Sequence, residues 1–528
     1  ELLRNGADLA ISVPRISIGS NPEYVTDPKG DAEKLAPILG RDVADLQAAL
    51  SSGKWVFLAR QADQATADAV AALDLPHVEM YREDKRIRPS GDRLGLSLIG
   101  RTDVDQKGQS GVEKLYDDVL KGEPGSMLVE KGSGGRTIPG GEHEVSPASP
   151  GSDVVLTIDR SLQYEAERLL MAAVDEAEAL AGTVLISDVA TGEILADANV
   201  VRPKIEPDKI APTEGGAAAQ GDAAAPSTQT DAPPVYGPAQ PTGENRAVTW
   251  TYEPGSVNKV IAMAGVLEEG LATPDTVRSV SSSVEIYDKR FAQESRSTDE
   301  DLSLREILAR SDNLGTIMWA NELGKERLYG YLTRFGLGRT TGLGLPGESS
   351  GKLPNVKNWS ETSLPTIAFG QGIAVTPMQM LGVYNTIAND GLYVPPKVVL
   401  GTETPEGRFE PTPEAASQRV VSEATAAALR DMLTSVVQDG TGKNAQVDGY
   451  TVAGKTGTAW KPLPGGGYGV PGARELITTF VGFLPAGDPK ITILVVLDTP
   501  SDPYATGGNL AAPLFQKIAS YAVRHLRI

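Results

Sequence analysis

Apolar residues recur at helical spacing in Val260, Met263, Ala264 and Leu267, directly after the punctuation Pro254-Gly255, which predicts a helix beginning near Ser256. A longer helix is predicted from Asp159, as its cap, through Leu180, with Leu162, Ala166, Leu169, Leu170 and Val174 on one face. Residues 183–188 and 194–198 are strand-like runs joined by a turn at Thr191-Gly192, hence a β-hairpin. Toward the end, 450–458, 478–484 and 491–498 read as strands close in sequence, an expected antiparallel set with 463–473 as a hairpin tip. An amphipathic helix over 510–526 closes the chain, carrying Leu514, Ile518, Ala522 and, as a helix-end residue, His525. The first part is patterned in shorter pieces: strands at 9–13, 15–18 and 55–59, helices at 31–39, 42–50 and 66–73, and a loop at 107–113 entering a helix that stops at Gly122. Glu113 there reads as a charged residue at a helix start in preference to a catalytic carboxylate.

A Gly/Ser/Pro-rich passage at 132–152 divides this pattern into a first unit, 1–149, and a second, 150–528. Over 203–243 the composition collapses to Ala, Pro, Gly, Thr and Asp, too poor in core-forming residues to offset ordering entropy, so a disordered insertion within the second unit is expected.

Composition narrows the chemistry. Among 528 residues, Lys+Arg 49 against Asp+Glu 69 leaves a net charge of −20, which repels nucleic acid and supports no role in binding it. With Cys 0, disulfides, thiolate metal sites and a cysteine nucleophile are excluded. His77, His143 and His525 are far apart, so neither a Ser-His-Asp triad nor a His-rich metal site is expected, and lysine remains the natural base. No run approaches the ~18 apolar residues of a membrane span. The first residue is Glu1 rather than methionine, which suggests that a membrane anchor or signal has been left out.

In Ser256-Val257-Asn258-Lys259 the serine and lysine fall one turn apart on one helix face. A serine hydroxyl is a poor nucleophile until its proton is taken, and a lysine amine with a lowered pKa can take it. Alone the pair is common. Here Ser311-Asp312-Asn313 follows between two helical segments, and Lys455-Thr456-Gly457 ends an apolar stretch. Together, in this order, the three form the signature shared by penicillin-binding proteins and related β-lactamases.

The second unit therefore resembles the transpeptidase domain of penicillin-binding proteins, with further likeness at Asn245-Arg246-Ala247, Gly347-Glu348-Ser349, Gly370-Gln371-Gly372 and Ala388-Asn389-Asp390-Gly391. Arg4-Asn5-Gly6 with Leu9-Ala10, and residues 108–113, resemble the amino-terminal pedestal of the class B, monofunctional members. Within that class, 253–259 and 342–351 look most like the cell-division members of actinobacteria-like bacteria.

The resemblance implies an α+β fold: a three-layer sandwich, with helices on both faces of a five-stranded antiparallel sheet, beside a smaller mixed α/β pedestal. It implies that Ser256 attacks the penultimate D-alanine of a peptidoglycan stem peptide, with Lys259 as base. Ser311 would relay a proton, Asn313 hold the substrate amide, and Lys455 keep the site electropositive. Thr456 would hydrogen-bond the substrate carboxylate, Gly457 would leave room for the backbone to approach it, and the Thr458 and Ser256 N–H groups would form the oxyanion hole. No cofactor or metal is implied. The expected partners are stem peptides, β-lactam antibiotics and cell-wall synthesis or division proteins, including a membrane glycan polymerase. The expected place is the outer face of the bacterial cell membrane, through an amino-terminal anchor. An elongation-type transpeptidase, a β-lactamase and a non-catalytic β-lactam receptor or scaffold stand as alternatives, and Glu348 is the nearest candidate for the water-activating base that a class A β-lactamase needs.

Overall fold

The computed structural model describes residues 2–4, 7–130, 132, 138, 143–205, 234–286, 289–292, 297–463, 465–470 and 474–528. The chain folds as two compact units. The first takes residues up to Asp92, Ile99–Leu156 and Val399–Thr412; the second takes Arg93–Leu98, Thr157–Val398 and Pro413–Ile528. The break thus falls after Leu156 rather than at 149–150. Residues 399–412 return to the first unit because Val399–Glu403 pairs antiparallel with Asp153–Leu156, a long-range ladder that local periodicity does not encode.

In the first unit, Ala7–Ser20 is one 14-residue strand where two short ones are expected. Pro14 lacks a ladder N–H, yet pairing to Val78–Ile87 runs unbroken from Ile11 to Ser20 and carries the strand through. Helices Pro28–Leu39, Val43–Leu50 and Gln64–Ala71 are capped by Asp27, Asp42 and Asp63. Their apolar faces close on the sheet in a core that includes Ile18, Leu35, Leu46, Leu58 and Val70. Glu113 lies in the first turn of Gly111–Leu115, buried, with Arg86 Nε donating to its Oε1 at 2.8 Å, which makes it a structural carboxylate. Asn5 and Gly6 of the pedestal motif lie outside the described residues.

The second unit is built on an antiparallel sheet in the order Gln240–Pro241, Ile194–Val201, Ala181–Asp188, Ile491–Asp498, Leu476–Leu484, Ala453–Trp460. Five of these strands are long, as expected; the sixth has two residues and comes from within 203–243. The described ends of that stretch are ordered, which corrects the disordered reading for them. Lys204 bridges to Tyr236, and Gln240–Pro241 extends the sheet, because the free edge of Ile194–Val201 offers ladder groups that a short polar segment can satisfy. Residues 206–233 lie outside the described residues.

Helices cover both faces of the sheet. On one, Arg160–Glu176 and Ala512–Leu526 bury Leu162, Leu170, Val174, Phe515 and Ile518 against Val184, Ile186, Ile493 and Val495. Each such side chain contributes about 1.5–3 kcal/mol of burial. The last turn of Ala512–Leu526 meets the start of Arg160–Glu176 through His525, whose Nε2 lies 3.1 Å from Asp159, the N-cap of that helix. On the other face, Pro377–Ala388 is tied down by Asn385, whose Oδ1 accepts from Ser187 Oγ at 3.2 Å and Thr492 Oγ1 at 2.9 Å. This is the three-layer sandwich. No helix among the described residues is long and apolar enough to cross a membrane.

Candidate active site

Gly255 has φ 59, a left-handed conformation that a side chain disfavours, and it reverses the chain into a 3-10 turn, Gly255–Asn258, ahead of the α-helix Lys259–Glu268. Ser256 therefore stands in a tight turn, half-buried, just before the helix proper. The turn is held from several directions. Gly255 N–H donates to Gly370 O at 3.0 Å, Asn258 Nδ2 to Ile367 O at 2.8 Å, and Tyr384 OH to Val257 O at 2.9 Å. The buried Glu253 accepts from Gly372 N–H at 2.9 Å and from Tyr468 OH at 2.7 Å. The Gly370-Gln371-Gly372 motif is thus the clasp of the serine turn.

Gly370 has φ +87, and a Cβ there would lie 2.1 Å from Gly255 O. The substitution Gly370→Ala is expected to destabilise the unit by roughly 1–3 kcal/mol and to slow reaction at Ser256. Unchanged melting and unchanged acylation would show that the turn is not held by this contact.

Lys259 is the first residue of the helix and fully buried. Its Nζ donates to Ser311 O at 2.6 Å and to Ser311 Oγ at 3.2 Å. Burial, and then the charge of Lys455, hold its pKa well below the ordinary lysine value, with Asp312 opposing. Ser311 can offer both oxygens to one amine because it sits at φ 58, a strained conformation for a non-glycine residue and one that collects at functional sites. Asp312 then caps the helix Asn313–Leu323 through Gly315 N–H at 2.7 Å, which places Asn313 half-buried at the helix start.

Lys455 is also fully buried; its Nζ donates to Thr456 O at 3.1 Å, and burial pushes its pKa down to about 7. It belongs to Ala453–Trp460, the edge strand of the sheet. A Cβ on Gly457 would lie 3.1 Å from both Pro254 O and Val257 Cγ1, so the absence of a side chain there lets the edge strand lie against the serine turn.

Between strand and turn opens a cleft of about 390 Å³, lined by Ser256, Ser311, Thr456 and Thr458 together with residues of 441–444 and 506–509. Lys259 and Lys455 stand behind its wall, and Asn313 and Gly457 do not line it. Ser256 Oγ has no hydrogen bond among the described residues, so Lys259, expected beside it, is given to Ser311 in the resting site. Catalytic hydrogen bonds of an unliganded site commonly tighten only with substrate in place.

The second wall is what sequence reasoning missed. Thr441 and Thr456 share a hydrogen bond between hydroxyls at 2.7 Å, and Gly507 N–H donates to Thr458 Oγ1 at 3.2 Å. The runs 441–444 and 506–509 have the composition of ordinary loops, and only their meeting across the edge strand marks them. Every lining residue is Ser, Thr, Asn, Gly or Lys. Glu348 is spent on its own loop, where its carboxylate accepts from Thr341 N–H at 2.6 Å, Thr341 Oγ1 at 2.5 Å and Gly344 N–H at 3.2 Å.

The family model of the penicillin binding protein transpeptidase domain matches residues 182–520, and that of the penicillin-binding protein dimerisation domain matches residues 2–156. The chain is 36% identical over 484 residues to penicillin-binding protein PbpB of Mycolicibacterium smegmatis, covering 90% of this chain and 70% of that protein. It is 32% identical over 534 residues to peptidoglycan D,D-transpeptidase FtsI of Escherichia coli, covering 99% and 83%. Among solved structures, a peptidoglycan synthetase from Bifidobacterium adolescentis superposes with TM-score 0.74 at 29% identity, over 99% of this chain and 94% of that one. Penicillin binding protein 3 from Mycobacterium tuberculosis, complexed with aztreonam, superposes with TM-score 0.69 at 33% identity, over 85% and 91%. A dimerisation domain followed by a penicillin-binding transpeptidase domain, matched along almost the entire length, makes this chain a member of the class B penicillin-binding protein family.

Proposed function

We propose that this chain is a peptidoglycan D,D-transpeptidase that cross-links stem peptides through an acyl-enzyme on Ser256. The observation that carries the reading is the convergence of the three motifs: a serine on a cleft wall, a buried lysine with depressed pKa bound to a second serine, and a second buried lysine on the facing edge strand.

Ser256 Oγ attacks the carbonyl carbon of the penultimate D-alanine while its proton passes to the neutral amine of Lys259. The tetrahedral oxyanion is received by the N–H groups of Ser256 and Thr458, the latter on an edge strand whose outer backbone groups are free of a further strand. As the C–N bond breaks, the proton travels from Lys259 through Ser311 to the leaving amine of the terminal D-alanine. An amine of a second stem peptide then attacks the ester carbon, and Ser256 recovers its proton. Asn313 holds the peptide amide, Thr456 and Thr458 bind the terminal carboxylate, Gly457 admits the substrate backbone, and Lys455 keeps the site electropositive.

A β-lactam occupies the same cleft and is opened by the same attack. Stem peptides of peptidoglycan lie outside the cytoplasmic membrane, which is where the enzyme works. Its service is to septal wall synthesis, alongside a membrane glycan polymerase and other division proteins; resemblance to FtsI and PbpB supports this.

The reading is tested by mass spectrometry after penicillin exposure, followed over time. A transpeptidase acyl group must wait for an amine, and among the described residues no carboxylate lines this cleft to activate water. The adduct is expected on Ser256 and to persist for many minutes, a deacylation barrier above ~20 kcal/mol. Rapid recovery of the free serine with catalytic loss of penicillin would make the protein a hydrolase.

A further inference from the structure

The cleft does not end at the threonines of the edge strand. It continues between two short turns: Lys443–Ala445, a 3-10 turn that follows Thr441 and Gly442, and the π-helical turn Gly507–Ala511. These are built against each other. Asn444 Nδ2 donates to Gly508 O at 2.8 Å, and a Cβ on Gly508 would lie 2.6 Å from Thr441 O. A Cβ on Gly507 would lie 2.2 Å from Thr479 O and 2.5 Å from Gly457 O, so the second turn is pressed onto the edge strand. The result is a polar extension of the cleft reaching past Thr456 and Thr458, with Lys443, Asn444 and Asn509 on its wall.

Among the described residues that line the cleft, Lys443 is the one cation, it is exposed, and it forms no ion pair with another described residue. The two motif lysines are differently placed, both with 0% of their surface accessible to solvent. Burial lowers the pKa of each, whereas Lys443 stands in solvent. The protein as a whole has net charge −20 and repels an anionic peptide.

We propose that Lys443 is the electrostatic anchor for the carboxylate-bearing end of the substrate, drawing the C-terminal carboxylate of an acyl-D-alanyl-D-alanine peptide, or the carboxylate of a penicillin, into the cleft beyond Thr456 and Thr458. This rests on the transpeptidase reading above and adds a specificity residue to it. A solvated lysine remains charged across neutral pH, and in a cleft its field acts on the incoming anion more strongly than on an open surface. Once the amide is cleaved, the same charge faces the carboxylate of the free D-alanine.

The test compares the second-order rate of Ser256 acylation by benzylpenicillin with that by its methyl ester, which lacks the anionic group, at low and at high salt. For Lys443→Met the rate with the free acid is expected to fall about fivefold at low salt, the scale of one exposed charge pair, and to approach wild type near ~1 M salt. The methyl ester is expected to react with Lys443→Met as it does with wild type. Lys443→Arg is expected to retain the wild-type rates, and Lys443→Glu to lose more than Lys443→Met with the acid alone. An equal loss for acid and ester, or no loss for the acid, overturns the proposal. Failure of both compounds to label wild-type Ser256 would bring down the transpeptidase reading, and the inference with it.

Discussion

Replacing Ser256 by alanine is expected to abolish covalent penicillin labelling, lowering acylation by about 10⁶-fold, the scale seen when a serine enzyme loses its nucleophile. The fold should survive, because Ser256 is only half-buried and its hydroxyl makes no hydrogen bond among the described residues. The turn around it is held by Glu253, Gly255, Val257 and Asn258, none of which is altered. The measurement is intact-protein mass spectrometry beside a thermal melt. Full-stoichiometry labelling of a well-folded Ser256→Ala protein would place the nucleophile elsewhere.

The second large effect is expected at Lys259. Its replacement by methionine keeps an unbranched side chain one heavy atom shorter and removes the base, so acylation should fall by about 10²–10⁴-fold, the usual contribution of a positioned proton acceptor. The pH profile carries the sign. The base works as the free amine, so the acylation rate rises with pH through the pKa of Lys259. Because burial, and then Lys455, hold that pKa down, the midpoint is expected well under the ~10.4 of an unperturbed lysine. Lys455→Ala removes a like charge and lets water approach, both of which favour the ammonium form. Its profile should therefore shift to higher pH, with slower acylation at neutrality. A midpoint that does not move would leave Lys455 a role in substrate binding alone.

Both predictions name residues that could be read from the chain. Ser256, Lys259, Ser311 and Lys455 were legible because each sits in a short motif whose spacing is set by one helical turn or one strand end. The hairpin of Ala181–Asp188 and Ile194–Val201 and the three closing strands were legible for a similar reason: their apolar runs are bounded by turn residues. What joins these pieces was not. Glu253 looked like part of the serine motif, yet it acts as a strut between Gly372 and Tyr468, contacts made 119 and 215 positions away in the chain. The far wall of the cleft escaped notice because Thr441, Asn444, Thr506 and Asn509 carry no periodic signal. Pro14 suggested a break in a strand that ladder pairing sustains, and a short polar segment, Gln240–Pro241, became a strand only because the sheet had an edge to offer. In each case a tertiary contact outweighed the local preference.

The order of strands in the larger sheet bears on how such a molecule is made. Ala181–Asp188 has for its inner neighbour Ile491–Asp498, with the partners Leu185 and Leu494 at the heart of the ladder. On a ribosome advancing at ~5–20 residues per second, the roughly 300 residues between them take about 15–60 s to appear. For all that time the first hairpin has one open edge and no inner strand to join, and the serine turn and the edge strand, once synthesised, are not yet linked to it through the sheet. Reactivity toward penicillin should therefore be among the last properties a nascent chain acquires, and a chain cut short between Gly457 and Ile491 would hold every residue of the three motifs without a complete sheet to set them on. Pairings of such separation also fold slowly and leave apolar strands in water meanwhile. The growing chain then depends on being kept from its neighbours until its own end arrives.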